Sequence, residues 1–406
     1  MFFIKLGWRN ILRNKKRMAL AGLAITIGMA SLIILNALVA GMNNNMIINA
    51  TNTYLGHGQI HARGFKETFE SKNTINELPQ VLANLKAEKS IESITLRTQS
   101  FAMLSSAFNV ESVFLFGIDP KTEIDISQTK DLIIKGEFLS NNKQNEIIIG
   151  KKLSEILDVE PGDRIVLTVA RAASGELSQD LFRVGGIFLF NIRELDSGIA
   201  FININKSQEL LNIGKNVHEI ALKFHKLSTI EDPIIDFWSR YSENDNKALS
   251  WKELLPGIDA AMKMSSFFSL FIGMVLLAVV AVVVMNTLFM SLYERMYEFG
   301  VLRAIGTRPL SMALMILSEA GVLAVISIIF GLILGIAISY LTSVTGIDYV
   351  GLEMGNVTFR EPIRPVLIMG HLTLFPVYVF IFTMVAAIFP AIHAAKLTPA
   401  ETMKKD

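Results

Sequence analysis

The segment MSSFFSLFIGMVLLAVVAVVVMNTLFMSLY, residues 264–293, carries no acidic or basic side chain over about thirty positions. As a helix rising ~1.5 Å per residue it is about 45 Å long, more than the ~30 Å hydrocarbon core of a bilayer. It predicts a membrane-spanning helix that protrudes from the bilayer. Three more runs, 18–41, 310–341 and 371–395, are apolar and long enough to span, with Glu319 the single acid among them. Together they explain why 406 residues that are 51% hydrophobic, at a mean hydropathy of +0.44, are only 18% charged. Soluble domains hold about a quarter. A net charge of +1 excludes a nucleic-acid binder that works through bulk positive charge. The absence of cysteine excludes disulfide scaffolds, thiolate metal sites and cysteine nucleophiles.

Lysine and arginine in short flanks mark the cytoplasmic side. Lys5, Arg9, Arg13, Lys15, Lys16 and Arg17 fill the N-terminus, 1–17, without an acid. Arg295, Arg303 and Arg308 lie in the link 294–309, and Lys396, Lys404 and Lys405 in the tail 396–406. These three segments are expected inside. The loop 342–370 balances Arg360 and Arg364 against Asp348, Glu353 and Glu361, as suits an outer loop. The polar stretch 42–263 is then extracytoplasmic. A signal peptide also begins with basic residues and an apolar run, but 18–41 exceeds the usual h-region of about 7–15 residues and no small-x-small cleavage site follows. A retained anchor is expected. The fold class is therefore a membrane protein of four transmembrane α-helices, with a large α+β domain inserted between helices 1 and 2.

Within 42–263, short β-branched runs at 58–62, 113–118, 146–149, 164–169, 182–188 and 219–224 read as strands. Helices are expected at 78–88, 151–157 and 207–211, which makes the region a mixed α+β domain of one or two lobes. His218 and His225 bracket HEIALKFH, whose spacing is not HExxH and whose alternation fits a half-buried strand rather than a metal site. No GxxxxGK[ST] phosphate loop and no GxSxG elbow occurs, so no site for ATP or serine hydrolysis is visible. A non-catalytic subunit without cofactor or metal is expected.

The link SLYERMYEFGVLRAIGTRP, 291–309, places Leu292, Met296, Phe299, Leu302 and Ile305 on one helical face and Glu294, Arg295, Glu298 and Arg303 on its polar surface, with Gly306 and Pro309 as terminators. Such a helix suits docking to a soluble partner, or lying on lipid headgroups. Its ERMYEFGVLRAIG core resembles the coupling segment of the MacB/FtsX-like permeases, the membrane subunits of a class of ABC transporters. WRNILRNKKR before the first span, SEAGVL in the third, and AAKLTPAETMKK at the end agree with that family, as does the four-span layout. LGHGQIHARGF, VEPGDRIVLTV with FRVGGIF, and GIDYVGLEMG are most similar to the lipoprotein-releasing permeases of the Lol type.

The resemblance implies a bacterial inner-membrane permease, a homodimer or a heterodimer with a paralogue, that binds two ATPase subunits in the cytoplasm. Those subunits would hold ATP and magnesium. It also implies release of lipoproteins to a periplasmic carrier, with MacB-like export of peptides or small molecules and FtsX-like control of a cell-wall hydrolase as alternatives. One segment departs from the family: the connection 170–181, ARAASGELSQDL, lacks the longer proline-containing hook of the carrier-recruiting permease. On this resemblance Glu294, Arg295, Glu298 and Arg303 are expected to hold the ATPase by ion pairs. Phe299, Leu302 and Ile305 would plug its groove, and Gly300 and Gly306 complete the motif. Glu319 is expected to pair with a neighbouring or coupling helix, because an unpaired ionisable group in a span costs a few kcal/mol. Gly331 and Gly335 are expected to allow close helix packing. Leu32, Leu35, Val39, Met264, Phe267, Phe268, Phe271 and Met274 are candidates for an apolar acyl-chain cleft between spans one and two.

Overall fold

Four long helices and one short one are the first products of these apolar runs in the computed structural model, which describes residues 15–225, 237–348, 353–354, 357–358 and 362–398. In chain order they are α1, Lys15–Ala50; α2, Pro256–Glu294; the short α3, Met296–Ala304; α4, Pro309–Thr345; and α5, Met369–Lys396. The four long helices are each apolar enough to cross a membrane. The basic positions 5, 9 and 13, the tail 399–406 and half of the 346–355 motif lie outside the described residues.

The helices meet in one core. Ile25, Met29 and Leu32 of α1 pack with Val284, Leu288 and Leu292 of α2, Phe299 of α3, Ile316 and Leu323 of α4, and Ala387 and Ala391 of α5. Helices in lipid associate by close packing, since the tails are as apolar as leucine. A Cβ added to Gly331 would approach Met29 Cβ to 2.6 Å, and one on Gly335 would approach Ile33 Cδ1 to 2.9 Å. That two-glycine stripe is what lets α4 lie against α1.

The inserted unit is an α+β sheet domain. Its strands are β1, Gly58–Ala62; β2, Ile91–Ser105; β3, Val110–Ile118; β4, Ile133–Gly136; β5, Glu146–Gly150; β6, Arg164–Ala170; β7, Leu177–Phe188; β8, Ile199–Asn203; β9, Glu219–Phe224; and β10, Asn246–Ser250. They run in the order β10-β1-β9-β2-β3-β8-β5-β7-β4, with β6 bridging β2 and β7. The β3–β8 and β5–β7 pairs are parallel and the others antiparallel. Two large cores form on it. One gathers Ile60, Leu85, Ile220, Leu222 and Phe237. The other gathers Leu115, Ile147, Leu153, Leu167 and Phe182. The departing segment 170–181 is a plain hairpin, in which Ala170 faces Leu177 across β6 and β7.

The longest strand, β2, was not expected from the pattern of the sequence. It carries Thr95, Arg97, Thr98, Gln99 and Ser100, all buried, so the apolar alternation that announces a strand is missing. Arg97, Thr98 and the Gln99 amide nitrogen find partners on neighbouring elements instead, while Gln99 Oε1 and Ser100 Oγ have none among the described residues. Arg97 Nε and Nη2 donate to Glu123 at 2.9 and 2.6 Å, and Nη1 donates to Glu219 at 2.6 Å. Gln99 Nε2 also donates to Glu219. Thr98 donates to Ser207 at 2.6 Å.

Histidines in this unit are structural. His218 Nδ1 accepts from the Gln99 amide at 2.9 Å and Nε2 donates to the Ser71 carbonyl at 2.8 Å. His57 Nδ1 accepts from the Phe224 amide at 3.0 Å. Burial holds His57 and His218 below the usual histidine range, and His61 well below it. The unfolded chain would protonate these rings near pH 6.5 while the folded one resists. Their contribution is thus fully present above about pH 6.5 and is lost as pH falls below it. A melt followed through Trp238 and Trp251 fluorescence should therefore show the midpoint dropping between pH 7 and 5; a flat or rising midpoint would refute this reading.

Candidate functional site

The link between α2 and α4 is built by a break in the helix at Arg295, whose φ of −107° and ψ of 15° leave the helical range. The break aims the Arg295 side chain into the membrane unit. There Nη1 donates to Glu319 of α4 at 2.6 Å, Nε donates to Glu298 at 3.2 Å, and the guanidinium lies 5.4 Å from the Phe299 ring centroid. Arg295 is 8% exposed and Glu319 1%, so this ion pair is shielded from water. At the other end of α3, Thr307 N–H donates to the Leu302 carbonyl and Gly306 N–H to that of Arg303. That is a Schellman closure, and the φ of +97° at Gly306 is the left-handed geometry it requires.

The residues expected to meet a partner are thereby divided. Arg295 is spent on Glu319 and Glu298. Arg303 donates to the carbonyls of Thr307, at 3.1 Å, and Leu397, at 3.4 Å. Phe299 is 1% exposed and Gly300 is also buried, because α3 folds this face back against the spans. Leu302 is half-buried, Glu294 is exposed and Glu298 half-buried beside Arg295. Ile305 remains outside at 74% exposed. It continues a second apolar line, Tyr293, Tyr297, Val301 and Ile305, spaced by four and exposed along its length. Of the stripe expected to meet the partner, Phe299 is turned inward and Ile305 outward, and the i, i+4 spacing from Tyr293 is the sequence signal for the exposed line.

The cleft residues are divided in the same way. Leu32, Val39 and Met274 line a cavity of about 650 Å³ together with Asn36, Asn43, Ser269 and Leu277. Its third wall is α5, with His371, Phe375, Tyr378 and Phe382. Met264, Phe267, Phe268 and Phe271 are instead turned to a separate exposed face of α2, all more than half exposed, and Leu35 is half-buried away from both. Among the described residues no three histidine, aspartate or glutamate side chains gather as a metal site.

Comparison with known proteins accords with this geometry. Residues 18–232 match the MacB-like periplasmic core domain family, and residues 270–399 match the FtsX-like permease C-terminal family. The chain is similar to an ABC transporter permease of Methanocaldococcus jannaschii, at 23% identity over 99% of this chain and 97% of the relative. It is similar to the lipoprotein-releasing system transmembrane protein LolC of Buchnera aphidicola, at 23% identity over 98% and 96%. A macrolide export ATP-binding/permease protein MacB of Campylobacter jejuni is 21% identical, over 99% of this chain and 61% of the relative.

Proposed function

The chain belongs to the MacB/FtsX-like family of ABC transporter permeases, and on that premise we propose that it couples ATP hydrolysis by a partner ATPase to release of lipid-modified proteins from the inner membrane. The supporting observation is the double-sided α3. Its inner face is locked to α4 through Arg295 and Glu319, while its outer face offers Tyr297, Val301 and Ile305 to solvent. A push on the outer face reaches α2 and α4 through a buried ion pair. In this reading both termini and α3 are cytoplasmic, as the basic flanks require. The inserted unit is periplasmic, and two permease chains assemble with two ATPase subunits that alone bind ATP and magnesium. The exposed phenylalanines of α2 face the second permease or the acyl chains of the cargo.

Docking is tested by charging the outer face. Val301→Asp with Ile305→Asp should cut copurification of the ATPase at least tenfold while the chain still inserts; unchanged copurification would reject this face. Cargo is tested in the same preparation. ATP-dependent appearance of lipid-modified protein in the aqueous fraction supports release, whereas efflux of peptides or small molecules without it would move the chain to MacB-like export.

A further inference from the structure

Another cavity, of about 380 Å³, lies wholly within the inserted unit. The rings of Tyr54, Phe69, Phe101, Phe114 and Phe116 form much of its wall. Neighbouring rings meet edge to face: Phe114 lies 5.0 Å from Phe69, 5.3 Å from Phe101 and 5.1 Å from Phe116, and Phe116 lies 5.7 Å from Tyr54. That is the arrangement aromatic quadrupoles favour. Two features set the wall apart from an ordinary core. Phe101 is 63% exposed although it packs on two other rings. Phe69 holds a φ of +50°, a left-handed backbone that is uncommon for a bulky residue and that clusters at ligand clamps.

The polar side of the cavity is made by Tyr54, Lys66 and Glu219. Both carboxylate oxygens of Glu219 are engaged, Oε1 by Arg97 at 2.6 Å and Oε2 by the Gln99 amide. Lys66 Nζ stands 3.8 Å from Glu219 Oε2, beyond hydrogen-bond length, and 5.7 Å from the Phe69 ring centroid. Burial pushes its ammonium below the usual lysine range. The Tyr54 hydroxyl has no hydrogen-bond partner among the described residues. The interior therefore offers donors, from Tyr54 and Lys66, and no unengaged acceptor.

Charge and backbone pairing narrow the occupant. Arg97 and Lys66 balance Glu123 and Glu219, with His61 held neutral, so the interior carries no net charge. Glu194 also borders the cavity and is exposed. An anionic ligand would meet Glu194 and unbalance the interior, and a cationic one would meet Lys66. The volume is near the lower end of the usual range for ligand sites. Strand β3, which carries Phe114 and Phe116, pairs with β2 on one side and β8 on the other. It has no edge for an extended peptide to join.

We propose that this cavity binds a small neutral aromatic molecule bearing a hydrogen-bond acceptor, its ring against Phe69, Phe101 and Phe114 and its acceptor on the Tyr54 hydroxyl and the Lys66 ammonium. The site belongs to the inserted unit alone and does not rest on the reading of the chain as a lipoprotein permease.

The test uses the full chain in lipid nanodiscs at neutral pH and three photoreactive probes with one ring system. They are benzophenone, which is neutral and carries a carbonyl acceptor, the anion para-benzoylbenzoate, and the cation para-benzoylbenzyl trimethylammonium. After photolysis, labelled residues of the inserted unit are mapped by mass spectrometry. Benzophenone should label Phe69, Phe101 and Phe114 saturably, and at least tenfold more than either charged probe does. Tyr54→Phe should raise its half-saturating concentration about fivefold, the worth of one hydrogen bond. Phe101→Ser should raise it by at least as much, and because this ring is largely exposed the variant keeps the test valid if Tyr54→Phe fails to fold. Phe108→Ser, at a 72% exposed ring outside the cavity, should change nothing. Stronger labelling by the cation would make the rings a cation cage, and stronger labelling by the anion would make Lys66 an anion site; either result overturns the proposal. Labelling that never saturates, or that neither Tyr54→Phe nor Phe101→Ser weakens, overturns it as well.

Discussion

Arg97→Met is expected to unfold the inserted unit or to reduce its stability by about 3–5 kcal/mol, the range for removing one partner of a buried ion pair. Arg97 is 1% exposed and its guanidinium is shared between Glu123 and Glu219, both fully buried. Methionine preserves much of the volume but removes the cation the two buried carboxylates share, leaving Glu219 with Lys66 at 3.8 Å and the Gln99 amide, and Glu123 with the Thr95 hydroxyl. Such a loss is a large fraction of the ~5–15 kcal/mol that holds a typical domain together. Urea denaturation followed by tryptophan fluorescence measures it. A second variant separates charge from shape: Arg97→Met with Glu123→Leu and Glu219→Leu removes all three charges and should recover much of the lost stability, because apolar replacement of a whole buried triad is often neutral or better. A single variant as stable as the parent would show that the network is not the lock the geometry describes.

Arg295→Met is expected to have a comparable effect on the membrane unit, with loss of coupling as its visible sign. Glu319 would remain 1% exposed inside α4 without the 2.6 Å partner that now neutralises it. The helix break at Arg295 would lose the contact that orients α3. Stimulated ATP hydrolysis should fall at least tenfold, and the link 295–308 should become more sensitive to protease. Glu319→Gln keeps an acceptor for the guanidinium and should lose less. The Arg295→Met, Glu319→Leu double variant should be milder than the sum of the single changes, since neighbours sharing one interaction are not additive. Additive losses would mean that the two residues act separately and that the ion pair carries no coupling.

How much of this was legible differs between the two units. The four spans could be read from composition alone, because an unpaired charge is costly in hydrocarbon and long runs without charge are rare elsewhere; Glu319, the one acid in them, is paired with Arg295. Strands β1, β3, β5, β6, β7 and β9 could be read because each places at least one valine or isoleucine in an apolar core. Strand β2 could not. Its place at the centre of the sheet depends on Arg97, Thr98 and Gln99 finding partners more than twenty residues away in sequence, and a window of local pattern does not contain those partners.

The candidate sites show the same boundary. The motif identified α3 and its neighbours, but α3 has two apolar stripes, one through Phe299 and one through Tyr297 and Val301, and helical periodicity treats them alike. The spans choose between them, since Arg295 must reach Glu319 and this turns Phe299 inward. For the cleft, apolar residues near the ends of α1 and α2 were recognisable as candidates. Their separation into a cavity wall and an exposed face depended on α5, Met369–Lys396, which begins 75 residues after α2 ends at Glu294 and supplies the third side. By itself the sequence determined what partitions between water and lipid, and hence four spans, one inserted domain and a polar link. Only the tertiary structure decided which face of each helix is covered, because that depends on side chains brought together from distant parts of the chain.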